Sequence, residues 1–436
     1  MPKSLPFPER HSLKKHVIRS LSRYWAEHVE LVETLPVHEQ KKTEIVVPLH
    51  LIEVPLPDWA KHCAVNGVIL VPLESCQEPE KPEWSKVDWW LAAFLLLECW
   101  HERVFELEHG SLHSYSVRLK NWDTRAWDHA WVNRIALFLR AWCAEHHKQQ
   151  AEDILGPFPK AKLIMTHDVD AVAKTVPIRI KQGVFNLVNM CRAMLSGRFK
   201  QAYSALHQSF TFVFGISDWW MLEQIIQQEK ALGIRSQFNF YADNRPKTAK
   251  RWLFDPGYNP ASSGIAHFID GLVKQGFSIG LHPSFDAWAD AGLIQKQRQA
   301  LEQVASIEVR SCRQHWLRFS FADTWQAQQK AGIWQDTTLM FNDRPGFRAS
   351  AAVQWNPWNC QKDTAFELQA LPSILMDSHF YDYNPMPDHE RKDSMAHWVN
   401  EVKQVGGEAA ILWHPHTLAA DYGWEKGFKD LIDIIR

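Results

Sequence analysis

From about residue 161 onward, short apolar runs alternate with longer amphipathic stretches, and several runs end on a charged residue or a histidine. That alternation restricts the fold to α/β layers or a βα barrel, because it pairs buried strands with the helices that cover them. The clearest runs lie at 161–166, 236–241, 277–281, 373–376 and 409–413. Weaker ones lie at 309–313, 337–341 and 366–368. Helices are expected at 219–231 behind an Asp218 cap, then at 270–275, 290–306, 322–330, 388–404 and 424–435. Residues 176–208 read as a helical insertion after the first strand. Polar tips at 168–170, 282 and 414 would share the C-terminal rim of a barrel, where such folds place their chemistry.

The first tip reads Leu-Ile-Met-Thr-His-Asp-Val-Asp from Leu163 to Asp170. At a strand end, Asp168 and Asp170 point the same way. Two adjacent carboxylates are costly unless a cation or a proton lies between them. Alone, the stretch fits either a loop that caps a helix or holds a structural cation, or a metal ligand beside a general base.

In front of this half, residues 1–40 read as polar and helical, and 45–49 and 67–71 as strands. Residues 76–86 form a Glu/Pro-rich loop. Asp88 is placed to cap a helix over Trp89–Leu97 that is apolar all round and so needs cover on every side. A second helix is expected at 128–146, with Trp131, Ile135, Leu139 and Trp142 at helical spacing. A polar connector around 149–159 sets the expected boundary: 1–155 as a smaller, mixed, mostly helical domain packing on a barrel of residues 156–436.

Composition removes several functions. The formal charge is −2 and no long basic block occurs, so nucleic acid is not an expected partner. Seven cysteines are scattered without CxxC spacing, which argues against disulfide frameworks and thiolate metal sites. The apolar run at Trp89–Leu97 is too short to span a bilayer, and no h-region follows the basic N-terminal residues. No integral membrane contact is therefore expected, and a reducing cytoplasm fits best. The 22 Trp residues are read first as core, with sugar platforms as the second option.

The residues able to do chemistry are Asp168, Asp170, His282, His315 and His414, with Asp286, Arg313, Asp336, Asp343, Arg344, Arg348, Asp377 and His416 around them. Asp/His ligation suits a divalent ion with an open coordination position. Each His taken singly is more often a hydrogen-bonded structural residue. What raises the site reading is that several of them follow expected strands. No phosphate-binding loop, GxGxxG, GxSxG or HExxH pattern is present.

In that order, the motifs resemble those of NodB-type polysaccharide deacetylases, carbohydrate esterase family 4, and more narrowly its divergent WalW-like branch. Thr166-His167-Asp168-Val169-Asp170 resembles the first motif, Gly280-Leu281-His282-Pro283-Ser284 the second, and Trp413-His414 the last. The segments 313–319, 343–348 and 376–377 are similar to stretches typical of the branch. The resemblance implies a distorted (β/α) barrel that hydrolyses an N-acetyl group on an amino sugar of a bacterial surface polysaccharide or its nucleotide- or lipid-linked precursor. It implies Asp168 as general base, His414 as general acid, and Asp170 and His282 as ligands of a divalent ion, zinc first, with cobalt or nickel as alternatives. The family's second motif carries another His where this chain has Asp286. Either Asp286 ligates the ion or His315 supplies the missing imidazole, and His315 is favoured. Arg344 or Arg348 would hold Asp168 and Asp377 would orient His414. Arg313, Asp343, Trp316 and Trp413 would contact substrate. Two other functions stay open: a metal-dependent amidase on a non-polymer substrate, and a non-catalytic carbohydrate-binding or assembly protein with a decayed site.

Overall fold

A computed structural model describes residues 5–40 and 44–436, excepting the side chains at 185, 189, 200, 201, 204, 205, 208 and 211. Residues 1–4, part of the stretch read as helical, and residues 41–43 lie outside it. Eight strands form one wholly parallel sheet. Two N-terminal strands, β1 (Leu51–Pro55) and β2 (Val68–Pro72), pair antiparallel as a separate ribbon. The parallel sheet takes β3 (Lys162–Val169), β4 (Gln237–Phe240), β5 (Ser278–Leu281), β6 (Ser311–Cys312) and β7 (Gln335–Asp336). A small hairpin of β8 (Trp358–Asn359) and β9 (Thr364–Ala365) intervenes. The sheet then adds β10 (Gln369–Ala370), β11 (Ser373–Met376) and β12 (Glu408–Leu412).

The strand order is β10-β7-β6-β5-β4-β3-β12-β11. Its two edge strands, β10 and β11, are joined only by Leu371 and Pro372, a link that spans at most about 11 Å. The sheet must therefore curl until its edges nearly meet. The link also bonds to both sides: Leu371 N donates to Asp336 O (2.8 Å), and Pro372 O accepts from Ala410 N (2.8 Å). The result is the distorted (β/α) barrel that the resemblance implied, closed by a two-residue stitch in place of a ladder.

Several boundaries differ from the sequence reading. β3 runs three residues past Thr166, so Asp168 lies inside the strand. The helix expected from Trp219 starts at Leu222, and Asp218 instead accepts from Trp220 N (2.9 Å). Residues 45–49 are not a strand, and the ribbon begins at Leu51. The 337–341 run is buried loop, because Phe341 packs on Trp127 (4.6 Å between rings) from the N-terminal region. The insertion is two long helices, Val176–Leu195 and Phe199–Phe214.

The Trp89–Leu97 helix is buried along its whole length and capped by Asp88, whose carboxylate accepts from Leu91 N (2.9 Å). Cover comes from the helices Arg10–Ser20 and Trp131–His147 and from the barrel side, where Phe94 faces Trp358. Buried charge pairs bind residues 5–155 to the later chain. Arg348 Nη2 meets Glu102 at 2.8 Å and Arg134 Nη2 meets Glu401 at 2.6 Å. Glu98 accepts from Arg103 (2.6 Å), Trp355 Nε1 (3.0 Å) and Trp358 N (2.9 Å). An unpaired buried charge costs several kcal/mol, so each of these acids needs its partners.

Candidate active site

Parallel strands deliver their C-terminal ends to one rim. There β3 presents Asp168 and Asp170, the β5 end presents His282, and the β6 end presents Arg313 and His315. β11 and β12 lead directly into Asp377 and into Trp413-His414. Side chains alternate along β3. Thr166 and Asp168 face Arg313, whereas His167 points to the helix layer, bonded to Glu229 (2.8 Å) and Trp413 O (2.8 Å).

Asp168 is buried and held on one oxygen. Its Oδ1 accepts from Asn239 Nδ2 (2.7 Å) and lies 3.3 Å from Arg313 Nη1. Its Oδ2 stands 3.8 Å from His282 Nδ1. Asn239 is opposite Asp168 in the β3–β4 register and opposite Gly280 in the β4–β5 register. A Cβ at 280 would collide with Asn239 Oδ1, so Gly280 supplies room for the amide that grips Asp168. Arg313 is fully buried and also donates to Thr166 Oγ1 (2.6 Å), Thr337 O (3.0 Å) and Ser373 Oγ (2.9 Å).

Asp170 sits among three imidazoles. Its Oδ1 lies 3.1 Å from His282 Nε2 and 3.6 Å from His315 Nε2, and its Oδ2 lies 3.7 Å from His414 Nε2. His282 Nδ1 faces the Arg313 carbonyl at 2.8 Å, an acceptor only, so Nδ1 carries a proton. His282 Nε2 then meets Asp170 as a lone pair that needs a cation between them, or as the N–H of an imidazolium. Burial works against a charge on His282, yet Asp168 and Asp170 outweigh it and raise its pKa. Burial pushes the His315 pKa well down, leaving a neutral ring with lone-pair density for a ligand bond. Asp170 remains ionised: its own burial is outweighed by the imidazoles around it, of which His282 and His414 carry the charge.

His315 Nδ1 is buried without a hydrogen-bond partner, and Asp170 Oδ1 has only the His282 and His315 imidazoles beside it. Among the described residues, one ligand atom each from Asp170, His282 and His315 fall within 4.8 Å of one another. A carboxylate oxygen and two imidazole nitrogens are a donor set for a divalent ion of the zinc type, so these residues could hold one. Asp286 is elsewhere, bonded to Lys250 (2.6 Å) and 3.8 Å from Arg318.

His414 is clamped from behind. Asp377 Oδ1 meets its Nδ1 at 2.8 Å, and Asp377 Oδ2 accepts from its backbone N at 2.8 Å. Burial opposes its charge, but Asp377 first and Asp170 next lift its pKa to about 10. At neutral pH it is an imidazolium with Nε2–H aimed toward Asp170. A cavity of about 350 Å³ opens over Asp170 and His315 and is walled by Trp316, His416, Trp219 and Lys181. The Lys181 ammonium lies 4.0 Å from the Trp316 ring centre, and desolvation lowers its pKa to about 8.

The expected contacts of five residues are not met: Arg313, expected at the substrate, is fully buried beside Asp168. Arg344 pairs with Asp128 (2.7 Å) and Arg348 with Glu102, so neither reaches Asp168, and Arg313 does so in their place. Asp343 accepts from Ser116 N (2.9 Å) and Ser116 Oγ (2.8 Å), a loop-to-loop clasp. Trp413 is fully buried against Phe428 and Tyr381 and offers no surface to a substrate. Trp316, by contrast, lines the cavity. Asn239 and Lys181 were missed. Asn239 had a signal, since a polar residue between Phe238 and Phe240 in a buried strand needs a polar partner.

No family model matches this sequence, and no curated protein does. Solved structures with similarity include a Mycobacterium smegmatis protein assigned as a polysaccharide deacetylase, at 15% identity and TM-score 0.35, covering 64% of this chain and 84% of that one. PuuE allantoinase follows at 11% identity and TM-score 0.34, covering 63% and 84%. A CE4 family pseudoenzyme from Bacillus anthracis is found at 12% and 0.25, covering 65% and 67%. At such scores the chain's own geometry carries the reading of the site.

Proposed function

We propose that this chain is a metal-dependent hydrolase that removes an N-acetyl group from an amino sugar. The observation that supports it most is Asp170 Oδ1 set between the Nε2 atoms of His282 (3.1 Å) and His315 (3.6 Å), with a gripped carboxylate on one side and an imidazolium on the other. Asp170, His282 and His315 would hold the ion, which when bound supplies Lewis acidity toward an acyl oxygen and lowers the pKa of water. Asp168 removes a proton from the water that attacks the acyl carbon. Asn239 and Arg313 occupy its Oδ1, which leaves Oδ2 to receive that proton. His414 gives its Nε2 proton to the departing nitrogen as the C–N bond breaks, and Asp377 keeps the ring in the donating orientation. Acetate and a free amine result. Trp316 offers a flat apolar wall suited to a sugar ring. The change to Asp286 would favour a decayed site, but His315 stands beside Asp170 and His282 and offsets it.

The test joins metal analysis to an assay of acetate release from N-acetylhexosamine oligomers. Wild-type protein should carry about one zinc, cobalt or nickel ion per chain and release acetate. Asp170→Ala and His315→Ala should lose both. A chain that takes up no ion after zinc or cobalt is added would overturn the reading.

A further inference from the structure

Between Asp170 and Asp218 the sequence contains six Lys or Arg and no Asp or Glu, in a chain whose overall formal charge is −2. Most of this span is the hairpin of helices Val176–Leu195 and Phe199–Phe214. The two helices pack closely where Gly183 meets Ser209 and Val213, and Ser209 Oγ donates to Gly183 O (3.1 Å). Arg179 ties the far end of the hairpin through Val213 O (2.6 Å) and Gly215 O (2.9 Å).

That packing uses one face of each helix. The other face carries a second apolar stripe that none of the described residues covers. On the first helix it runs through Val176, Ile180, Val184, Val188 and Leu195, in steps of four or seven residues. On the second it runs through Phe199, Tyr203, Leu206, Phe210 and Phe214, in steps of three or four. These ten side chains are 37–91% exposed, far more contiguous apolar surface than solvation alone leaves on a helix pair. Arg192 and Arg198 are exposed near the turn of the hairpin.

The surface continues to the mouth of the candidate active site. Pro177, Ile178 and Lys181 of the first helix line the cavity, and so do Trp252 and Leu253, which are themselves 44% and 41% exposed. Whatever covers the stripes therefore also lies against the cavity mouth. Lys174 is buried against Asp421 (2.9 Å), but a second copy of this chain would still set the exposed Arg192 and Arg198 of one hairpin against a hairpin with no acid to pair them. An anionic lipid surface instead complements the charge and accepts the aromatic side chains. Among the described residues no helix is long and apolar enough to cross a membrane, so the hairpin would lie in the interface plane.

We propose that the 176–214 hairpin docks in the plane of an anionic bilayer and sets the cavity mouth on it, so that the acylated sugar is carried on a lipid. The docking stands on the hairpin alone. The lipid-borne substrate rests in addition on the hydrolase reading above.

The full chain would be sedimented with vesicles of phosphatidylcholine and with vesicles that also contain phosphatidylglycerol. It should pellet with the second kind and be released by salt. Arg192→Ala and Arg198→Ala should each weaken binding about fivefold. The triple variant Phe199→Ser, Tyr203→Ser, Phe210→Ser should abolish binding while its melting temperature and metal uptake stay at wild-type values. Failure of the wild type to pellet with either vesicle would overturn the docking. So would a wild-type dimer that the triple variant converts to monomer without any vesicle binding, since a second copy would then be the cover. The substrate half is read from KM for an N-acetylglucosamine long-chain alkyl glycoside in phosphatidylglycerol vesicles against its short-chain soluble analogue. A lower KM in vesicles, lost in the triple variant, is expected, and equal KM values would overturn that half. Vesicle binding without turnover on either compound would overturn the hydrolase reading and leave the docking in place.

Discussion

Two groups of buried charges in this molecule are built on opposite terms. Where the N-terminal region meets the barrel, three buried acids each face cations or N–H donors. Glu102 has both Arg348 nitrogens at 2.8 and 3.1 Å, Glu401 has Arg134 and His129, and Glu98 has Arg103, His16 and two backbone or indole N–H groups. At the barrel rim, three imidazoles crowd the Asp170 carboxylate, and His315 Nδ1 is buried without a partner. The first arrangement serves the folded chain by itself. The second gathers a carboxylate and two imidazoles that could hold a divalent ion. Substitution should therefore separate them: changes at the rim cost function, and changes at the seam cost stability.

The largest effect should come from Asp168→Asn. An amide of the same shape keeps the cavity and the ligand set but accepts no proton, so turnover should fall about 10²–10⁴-fold. Metal content should stay at the wild-type level in the same preparation. Retained turnover would break the contrast at its strongest point. Glu102→Ala should behave in the reverse sense. It strands the Arg348 guanidinium in the seam and should cost about 3–5 kcal/mol in urea unfolding, with turnover per folded molecule unchanged.

Glu401 tests the seam through pH. Burial pushes its carboxyl up, but bonds from His129 and Arg134 outweigh it and hold the pKa at about 2, against an ordinary 4.5. The folded value is the lower one, so this stabilisation is present above about 4.5 and is lost as pH falls toward 2. The gap is worth about 3 kcal/mol. Urea midpoints measured across that range should fall in the wild type and stay flatter in Glu401→Gln.

Much of the barrel was legible because apolar strands and amphipathic helices keep different periods, and β11 and the helix Asp388–Gln404 begin and end where the pattern does. The two-residue strands β6, β7 and β10 carry no period to read. The motif order brought Asp170, His282, His315, His414 and Asp377 onto the page, and the structure sets them side by side. The arginines were misassigned for a physical reason. Arg344 and Arg348 follow the barrel motifs in sequence, yet their acids, Asp128 and Glu102, lie over 200 residues earlier in the other part of the chain. Local sequence holds no trace of such pairings. Trp413 was misread because its neighbour His414 is at the rim, while alternation past the strand end turns the indole into the helix layer beside Phe428.

The smallest effect bears most directly on the contrast, because it asks whether the rim gains stability from an ion while the seam does not. An ion that binds only the folded chain stabilises it by about 2.7 kcal/mol at 100 times its Kd. For 436 residues the unfolding entropy at the midpoint is about 0.9 kcal/mol per degree, so adding zinc to chelator-treated protein should raise Tm by about 3 °C. Asp168→Asn should keep this shift, since Asp168 lies outside the ligand trio. His315→Ala should lose it, and Glu102→Ala should melt lower but shift by the same amount. An equal shift in His315→Ala would mean that zinc stabilises the chain elsewhere, and the cluster of Asp170, His282 and His315 would then need a different ligand.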